Sequence, residues 1–318
     1  MRKRNIILFT IISLMLIIFL ILDIIVGQID LDLSNPIHRQ VLMSLRIPKA
    51  ITAVIAGIGL SLSGLMMQTL FRNPLAGPYI LGVSSGATLG VATVLMIGTL
   101  IGISHPSGWA TIIAAIIGST VILLAVLAIS HRIKHTVSLL IVGMMIGSMA
   151  GAIVNIIQNY ANPDALKLFI VWTFGSLTSV SWAQLQILAP IFIMGIIISL
   201  CLIKPLNGML AGDNYAQSLG VNVRHTRLLI ILATGFLAGG ITAFTGPIAF
   251  IGIAVPHIAR GFFKTSSHNI VMPATMLTGA TLLLLCDLLS GLTTYPLPIS
   301  TVSALFGAPI VIYIILKK

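Results

Sequence analysis

The chain has 318 residues, 58% of them hydrophobic and 7% charged, with a mean hydropathy of +1.13. Soluble domains are about a quarter charged, so a water-solvated globule of this size is excluded and an all-α polytopic membrane protein, one integrated domain over residues 1–318, is predicted. The 17 Lys and Arg outnumber 6 acids, none of them glutamate, for a net charge of +11; in so apolar a chain that excess reports membrane orientation rather than a nucleic-acid partner.

A membrane-crossing helix needs roughly 20 apolar residues, and breaks at charges, prolines and glycine clusters leave ten such segments. In chain order they are 5–27, 49–69, 80–101, 109–130, 136–158, 183–203, 227–245, 247–263, 271–293 and 298–316. The opening "MRKR" before an apolar run has the form of a signal peptide. However, "GQIDLDLS" supplies no small-residue cleavage site, so an uncleaved first span is expected. Spans seven and eight are parted only by "TGP", which makes Gly246-Pro247 a tight turn. Cys201 and Cys286 lie in apolar runs without metal-ligand spacing and read as inert buried thiols.

Ten spans put both termini on one side, and the positive-inside rule selects the cytoplasm. With that choice 13 cations fall inside: Arg2, Lys3, Arg4, Arg72, Arg132, Lys134, Lys204, Arg224, Arg227, Arg260, Lys264, Lys317 and Lys318. Arg39, Arg46, Lys49 and Lys167 fall outside, with Asp30, Asp32 and Asp164. The connection 28–48 is expected at the outer interface, and 159–182 outside with a short surface helix at 164–174. The longest inner connection, 204–226, "KPLNGMLAGDNYAQSLGVNVRHT", is soluble in character, and membrane insertion does not explain its length.

One inner corner stands out, "RNPLAGPYILGVSSGA" at 72–87. Pro74 and Pro78 each remove an amide donor and stop simple helix continuation. Non-helical backbone at membrane depth persists only where protein or a watery cavity covers it, so this corner is expected to be buried or to line a path, with Asn73 and the serines supplying hydrogen bonds. Gly82, Gly86 and Gly90 let the following span approach a neighbour closely, and Gly143, Gly147 and Gly151 make a second such stripe in span five.

The stretch "LRIPKAITAVIAGIGLSLSGLMMQTLFRNPLAGPYILGVSSGA", the block "GPIAFIGIAVPHIARGFF" and the terminal "LPISTVSALFGAPIVIYIIL" together resemble the permease subunits of iron-siderophore, haem and cobalamin ABC importers, from about residue 40 to the end. The resemblance implies ten helices per subunit in the inner membrane, a homodimer, two cytoplasmic ATPase subunits that hold ATP and Mg, and an external substrate-binding protein. It implies no cofactor, metal or catalytic residue on this chain, and import of an iron chelate, with cobalamin as the alternative.

It also implies roles for particular positions. Arg46 and Lys49 in "RIPK" match an outward cation pair that receives acidic residues of the binding protein, a placement suited to steering and register. Their alternative is to snorkel at the interface. The 204–226 connection matches the coupling loop, pictured as two short helices broken at Gly220, with Ala216, Ser218, Leu219, Gly220 and Val221 touching the ATPase. Asn73, Leu75, Thr136 and Val137 match inner gate positions, although Thr136 also suits a helix cap. Gly143, Gly147 and Gly151 fall on the family's pathway and dimer seam, and Asn155, Gln158 and Asn159 are candidates to contact cargo. The cobalamin members carry an arginine and a glutamate near span nine where this chain has Gly291 and Pro296, which puts that third docking position in doubt.

Asp287 is the one acid deep within a span, with Asp23 near an end of another. An intramembrane acid is a functional candidate, though a structural hydrogen-bonding role weighs more here. His257 has no second ligand at helical spacing and is not read as a metal site. The chain lacks a GxxxxGK[ST] loop, so ATP hydrolysis is assigned to a partner. The rival class, an ion-coupled secondary transporter, calls for several intramembrane carboxylates and inverted repeats, and neither is seen.

Overall fold

The computed structural model describes residues 2–27, 32, 34–98, 107–130, 132–133, 136–293 and 295–316. Lys134, Lys317, Lys318 and Asp30 of the charge pattern lie outside the described residues. Among those described there are helices and turns and no strand. Among the described residues each of the ten apolar segments contains helix. Seven helices among the described residues are long and apolar enough to cross a membrane: Lys3–Ile25, Pro36–Phe71, Gly108–Ser130, Thr136–Asn159, Trp182–Cys201, Val223–Thr245 and His268–Gly291. Val83–Ile97, Ile251–Phe263 and Ile299–Tyr313 are shorter apolar helices.

We number the helices α1 (Arg2–Ile25), α2 (Pro36–Phe71), α3 (Val83–Ile97), α4 (Gly108–Ser130), α5 (Thr136–Asn159), α6 (Pro163–Thr173), α7 (Trp182–Cys201), α8 (Ile203–Met209), α9 (Asp213–Ser218), α10 (Val223–Thr245), α11 (Ile251–Phe263), α12 (His268–Gly291) and α13 (Ile299–Leu316). Most of the 28–48 connection is thus helix: Asn35 caps the Ile37 amide, Pro36 takes the first position, and α2 runs on through a π turn at Leu42–Arg46. Further π turns interrupt α3 at Thr93–Ile97 and α10 at Gly235–Gly239.

α2 is the hub. Its small residues let other backbones reach it: a Cβ on Gly57 would strike the Gly279 carbonyl of α12, and one on Gly64 the Gly252 carbonyl of α11. Ser61 Oγ closes the first contact, lying 3.2 Å from the Thr275 carbonyl. The stripe in α3 works in the same way, with Gly86 against Gly118 and Gly90 against the Ala114 carbonyl of α4. α6 is the short helix expected at 164–174, set by Asn162 capping the Ala165 amide, Pro163 in the first turn and Asp164 at the positive end of the helix dipole. α7 begins with a reciprocal Ser181–Gln184 capping box. Between α10 and α11, Gly246 adopts φ 72° and packs on Gly175, its would-be Cβ 3.0 Å from that Cα, which is why the tight turn needs glycine. Cys286 is buried as expected, but Cys201 is exposed at the end of α7.

Candidate functional site

At one end of the bundle the corner after α2 is built from local rules. Arg72 caps α2 in the left-handed region at φ 46°, its amide returning to the Gln68 and Thr69 carbonyls. Asn73 Oδ1 then accepts from the Leu75 amide at 2.9 Å, and the Asn73 carbonyl from the Ala76 amide at 3.0 Å. Ala76 to Pro78 are buried, whereas Leu75 is exposed. α11 braces the corner: His257 Nε2 lies 2.8 Å from the Pro74 carbonyl, and since a carbonyl only accepts, Nε2 carries the proton. Arg260 Nη1 donates to Gln68 Oε1 at 2.7 Å, and Gln68 Nε2 donates to the Ile253 carbonyl at 3.1 Å. Tyr79 follows, its hydroxyl accepting from the Ile248 amide at 3.3 Å and contacting Thr242 Oγ1 at 3.2 Å. Asn73 supplies hydrogen bonds as expected, and His257 and Tyr79, rather than the serines, supply the rest.

The long connection lies against this corner. It comprises α8 and α9, after which Gly220 at φ 81° turns the chain directly into α10. The predicted second short helix is therefore the beginning of α10, because Asn222 caps the His225 amide and no break follows. Two expected contact residues also change. Ala216 is fully buried, on the inner face of α9 toward Gly208, and Val221 leans on Gly208 as well. The outward face is instead Tyr215, 54% exposed, and Leu219, 59% exposed, with Ser218 and Gly220 exposed beside them. Tyr215 was missed; its spacing of four from Leu219 was the available signal. Thr136 and Val137 begin α5 at the same end, Val137 exposed and Thr136 Oγ1 accepting from Arg227 Nη2 at 3.2 Å.

At the opposite end Arg46 and Lys49 do not form an outward pair. Arg46 is buried, its Nη1 donating to the Ile25 carbonyl at 2.5 Å and to that of Ile24 at 3.2 Å. Lys49 Nζ turns inward between two acids, donating to Asp23 Oδ1 at 3.0 Å and lying 2.7 Å from Asp287 Oδ2, an ion pair off the hydrogen-bonding direction. Lone buried carboxylates are costly, and Lys49 sits where it compensates both. Asp23 and Asp287 are accordingly structural partners of Lys49, binding α1, α2 and α12 together. All four charged groups border a cavity of about 450 Å³ that also includes Gly291, Pro296 and the 175–178 loop.

The glycine stripe of α5 faces its own chain. A Cβ on Gly143 would lie 3.0 Å from Leu81 Cα, and one on Gly147 3.2 Å from Gly82 Cα, so these two admit the turn at Pro78–Leu81 and are not a seam. Gly151 has open space around it and borders a cavity of about 380 Å³ with Asn155, Gln158, Ser84, Ser85 and Thr88. Asn159 is exposed at the end of α5. Among the described residues no cluster of three His, Cys, Asp or Glu could hold a metal ion.

Comparison with known proteins matches residues 9–317 to the FecCD transport family. A Methanocaldococcus jannaschii chain assigned as an ABC transporter permease is 34% identical over 304 residues, covering 89% of this chain and 85% of its own. The vitamin B12 import system permease BtuC of Salmonella paratyphi A is 32% identical over 277 residues, 86% of this chain and 83% of that one. Among solved structures, an inward-facing metal-chelate type ABC transporter superposes with a TM-score of 0.88 at 30% identity, covering 98% of this chain and 99% of the other.

Proposed function

The chain belongs to the FecCD transport family and is a permease of the ABC importer type, and from that premise we propose that it carries an iron chelate, siderophore or haem, across the bacterial inner membrane by alternating access. In this reading residues 1–318 form one transmembrane domain of ten spans with cytoplasmic termini. Two copies pair, two ATPase subunits dock at residues 204–226 and hold the ATP and Mg, and an external binding protein delivers the cargo. The chain itself binds no cofactor and performs no chemistry.

The observation that carries the reading is the outward face of α9. Tyr215 on the six-residue α9 and Leu219 at its C-cap expose large side chains, while Ala216 is buried behind them, beside the kinked Arg72–Pro78 corner. An exposed aromatic and aliphatic pair of this kind is what a partner's groove takes up. Ser218 and Gly220 share that face, with Ala216 and Val221 supporting it from behind. Asn73, Leu75, Thr136 and Val137 serve as the inner gate, and Gly151, Asn155, Gln158 and Asn159 border the path. Arg46 and Lys49 sit beneath the docking surface, where an acid of the binding protein would compete with Asp23 and Asp287 for Lys49.

The test is capture of ATPase by the purified chain. Leu219→Arg should abolish co-purification and stimulation of the ATPase subunit without loss of the folded permease; retention of a stimulated ATPase would remove the docking assignment. An ion-coupled transporter predicts the opposite behaviour, gradient-driven uptake by the lone chain in liposomes. Cobalamin is a second reading of the cargo, favoured by the vitamin B12 permeases among the relatives. Uptake of labelled haem, ferric siderophore and cobalamin by the reconstituted complex separates the two.

A further inference from the structure

Polar contacts join the segment 203–222 to the end of α2, and the start of α10 to the start of α5. Arg72 Nη2 donates to Asp213 Oδ1 at 2.6 Å. The two backbone positions that bring this pair together are both unusual, Arg72 at φ 46° and Gly212 at φ 120°, and the guanidinium lies over Gly212. Asp213 is the first residue of α9, and Arg72 immediately precedes the corner at Asn73. One turn back on α2, Thr69 Oγ1 lies 2.9 Å from His268 Nε2 in a fully buried contact, and the His268 amide donates to Asn207 Oδ1 of α8 at 2.7 Å. Thus α8 and α9 both reach the final turn of α2. On the far side of Gly220, Arg227 bridges α10 to the start of α5, donating to the Ile133 carbonyl at 3.0 Å and to Thr136 Oγ1 at 3.2 Å.

The backbone suits these contacts to transmission. α9 hangs between Gly212 and Gly220, both at positive φ, and a Cβ at Gly220 would meet nothing. Two such positions flanking a short helix let it shift as a unit. The Arg72–Asp213 pair is half exposed on the arginine side, where an ion pair adds little stability, so its consequence is geometric.

We propose that Arg72–Asp213 is a positioning contact that delivers displacement of α9 to the inner gate segment 73–78. The inference rests on the reading of α9 as the place where the ATPase acts, and adds the residues through which that action passes. The Arg227–Thr136 contact leaves α10 beyond Gly220 and holds the second gate segment, 136–137, apart from α9, so each contact can be cut without cutting the other.

The experiment uses the full complex in proteoliposomes, with Leu75→Cys as a reporter in a Cys201→Ser background. The rate of maleimide labelling at position 75 is compared with and without ATP and vanadate. Trapping should change the rate by about tenfold, and Arg72→Ala should reduce that response to below about threefold while ATP hydrolysis continues. Charge reversal, Arg72→Asp with Asp213→Arg, should restore the response, which a merely structural role would not do. Thr136→Val and Thr136→Ser, which alter only the contact between α10 and α5, should leave it at the level of the unaltered chain. An unchanged response in Arg72→Ala, an equal loss in Thr136→Val, or a reversed pair no better than Arg72→Ala, overturns the proposal. If the unaltered chain captures no ATPase, the importer reading falls and takes the proposal with it; if capture and hydrolysis persist without the expected losses, the proposal alone falls.

Discussion

At the scale of single residues, the balance of charge around Lys49 decides most. Its ammonium faces Asp23, fully buried, and Asp287, 7% exposed. Removing the amine leaves two carboxylates inside the bundle with their nearest counter-ion gone, and loss of one partner of a buried pair costs about 3–5 kcal/mol. Lys49→Met should therefore lower the unfolding temperature in detergent sharply. Asp287→Asn should do so far less, because Lys49 keeps Asp23. Negligible effects from both substitutions would show that the ammonium is solvated and the triad inconsequential. None of this was legible in sequence, because nothing there tells that positions 23 and 287 meet across the same lysine. "RIPK" displayed two cations beside an apolar run, and the carboxylates that turn one of them inward come from the first and twelfth helices.

Among elements, hydropathy made the ten apolar helices readable, since each must bury its own backbone polar groups in lipid. Their interruptions were less readable. Pro36 could be seen as a breaker, yet at the first position of a helix its missing amide costs nothing, and α2 starts there. The small-residue stripes announced close approach without naming the neighbour: those in α3 meet α4, while Gly143 and Gly147 receive the chain's own turn at Pro78–Leu81. The contrast is measurable. Gly90→Val forces a side chain against the Ala114 carbonyl, and overpacking of this sort costs about 1–3 kcal/mol, so folded yield and melting temperature should fall. Gly151→Val enters open space and should leave both unchanged. If Gly151 borders the path, a bulkier Gly151→Trp should slow uptake of whichever cargo is carried, without altering ATPase capture. Uptake at the unaltered rate would take Gly151 out of the path.

For the whole molecule, the outer helices differ in what they present to their surroundings. α1 is the least buried of the seven long spans and shows only apolar side chains along its exposed middle: Ile11, Leu14, Met15, Ile17, Ile18 and Ile21. Hydrocarbon accepts such a face without penalty. α5 exposes Met144, Met145 and Met149 but also Ser148, Asn155 and Asn159, and amides turned to lipid are costly enough to be rare. A face that mixes adaptable methionines with amides suits a second copy of the chain around a wet path. The proposed pairing of two permeases should therefore run along α5 and not along α1. With Cys201→Ser removing the exposed thiol and Cys286 buried, Met149→Cys should yield a disulfide-linked dimer on mild oxidation in native membranes, and Ile18→Cys should remain monomeric under the same treatment. Dimers from Ile18→Cys alone would move the seam to α1 and return the α5 amides to the headgroup layer, where water satisfies them.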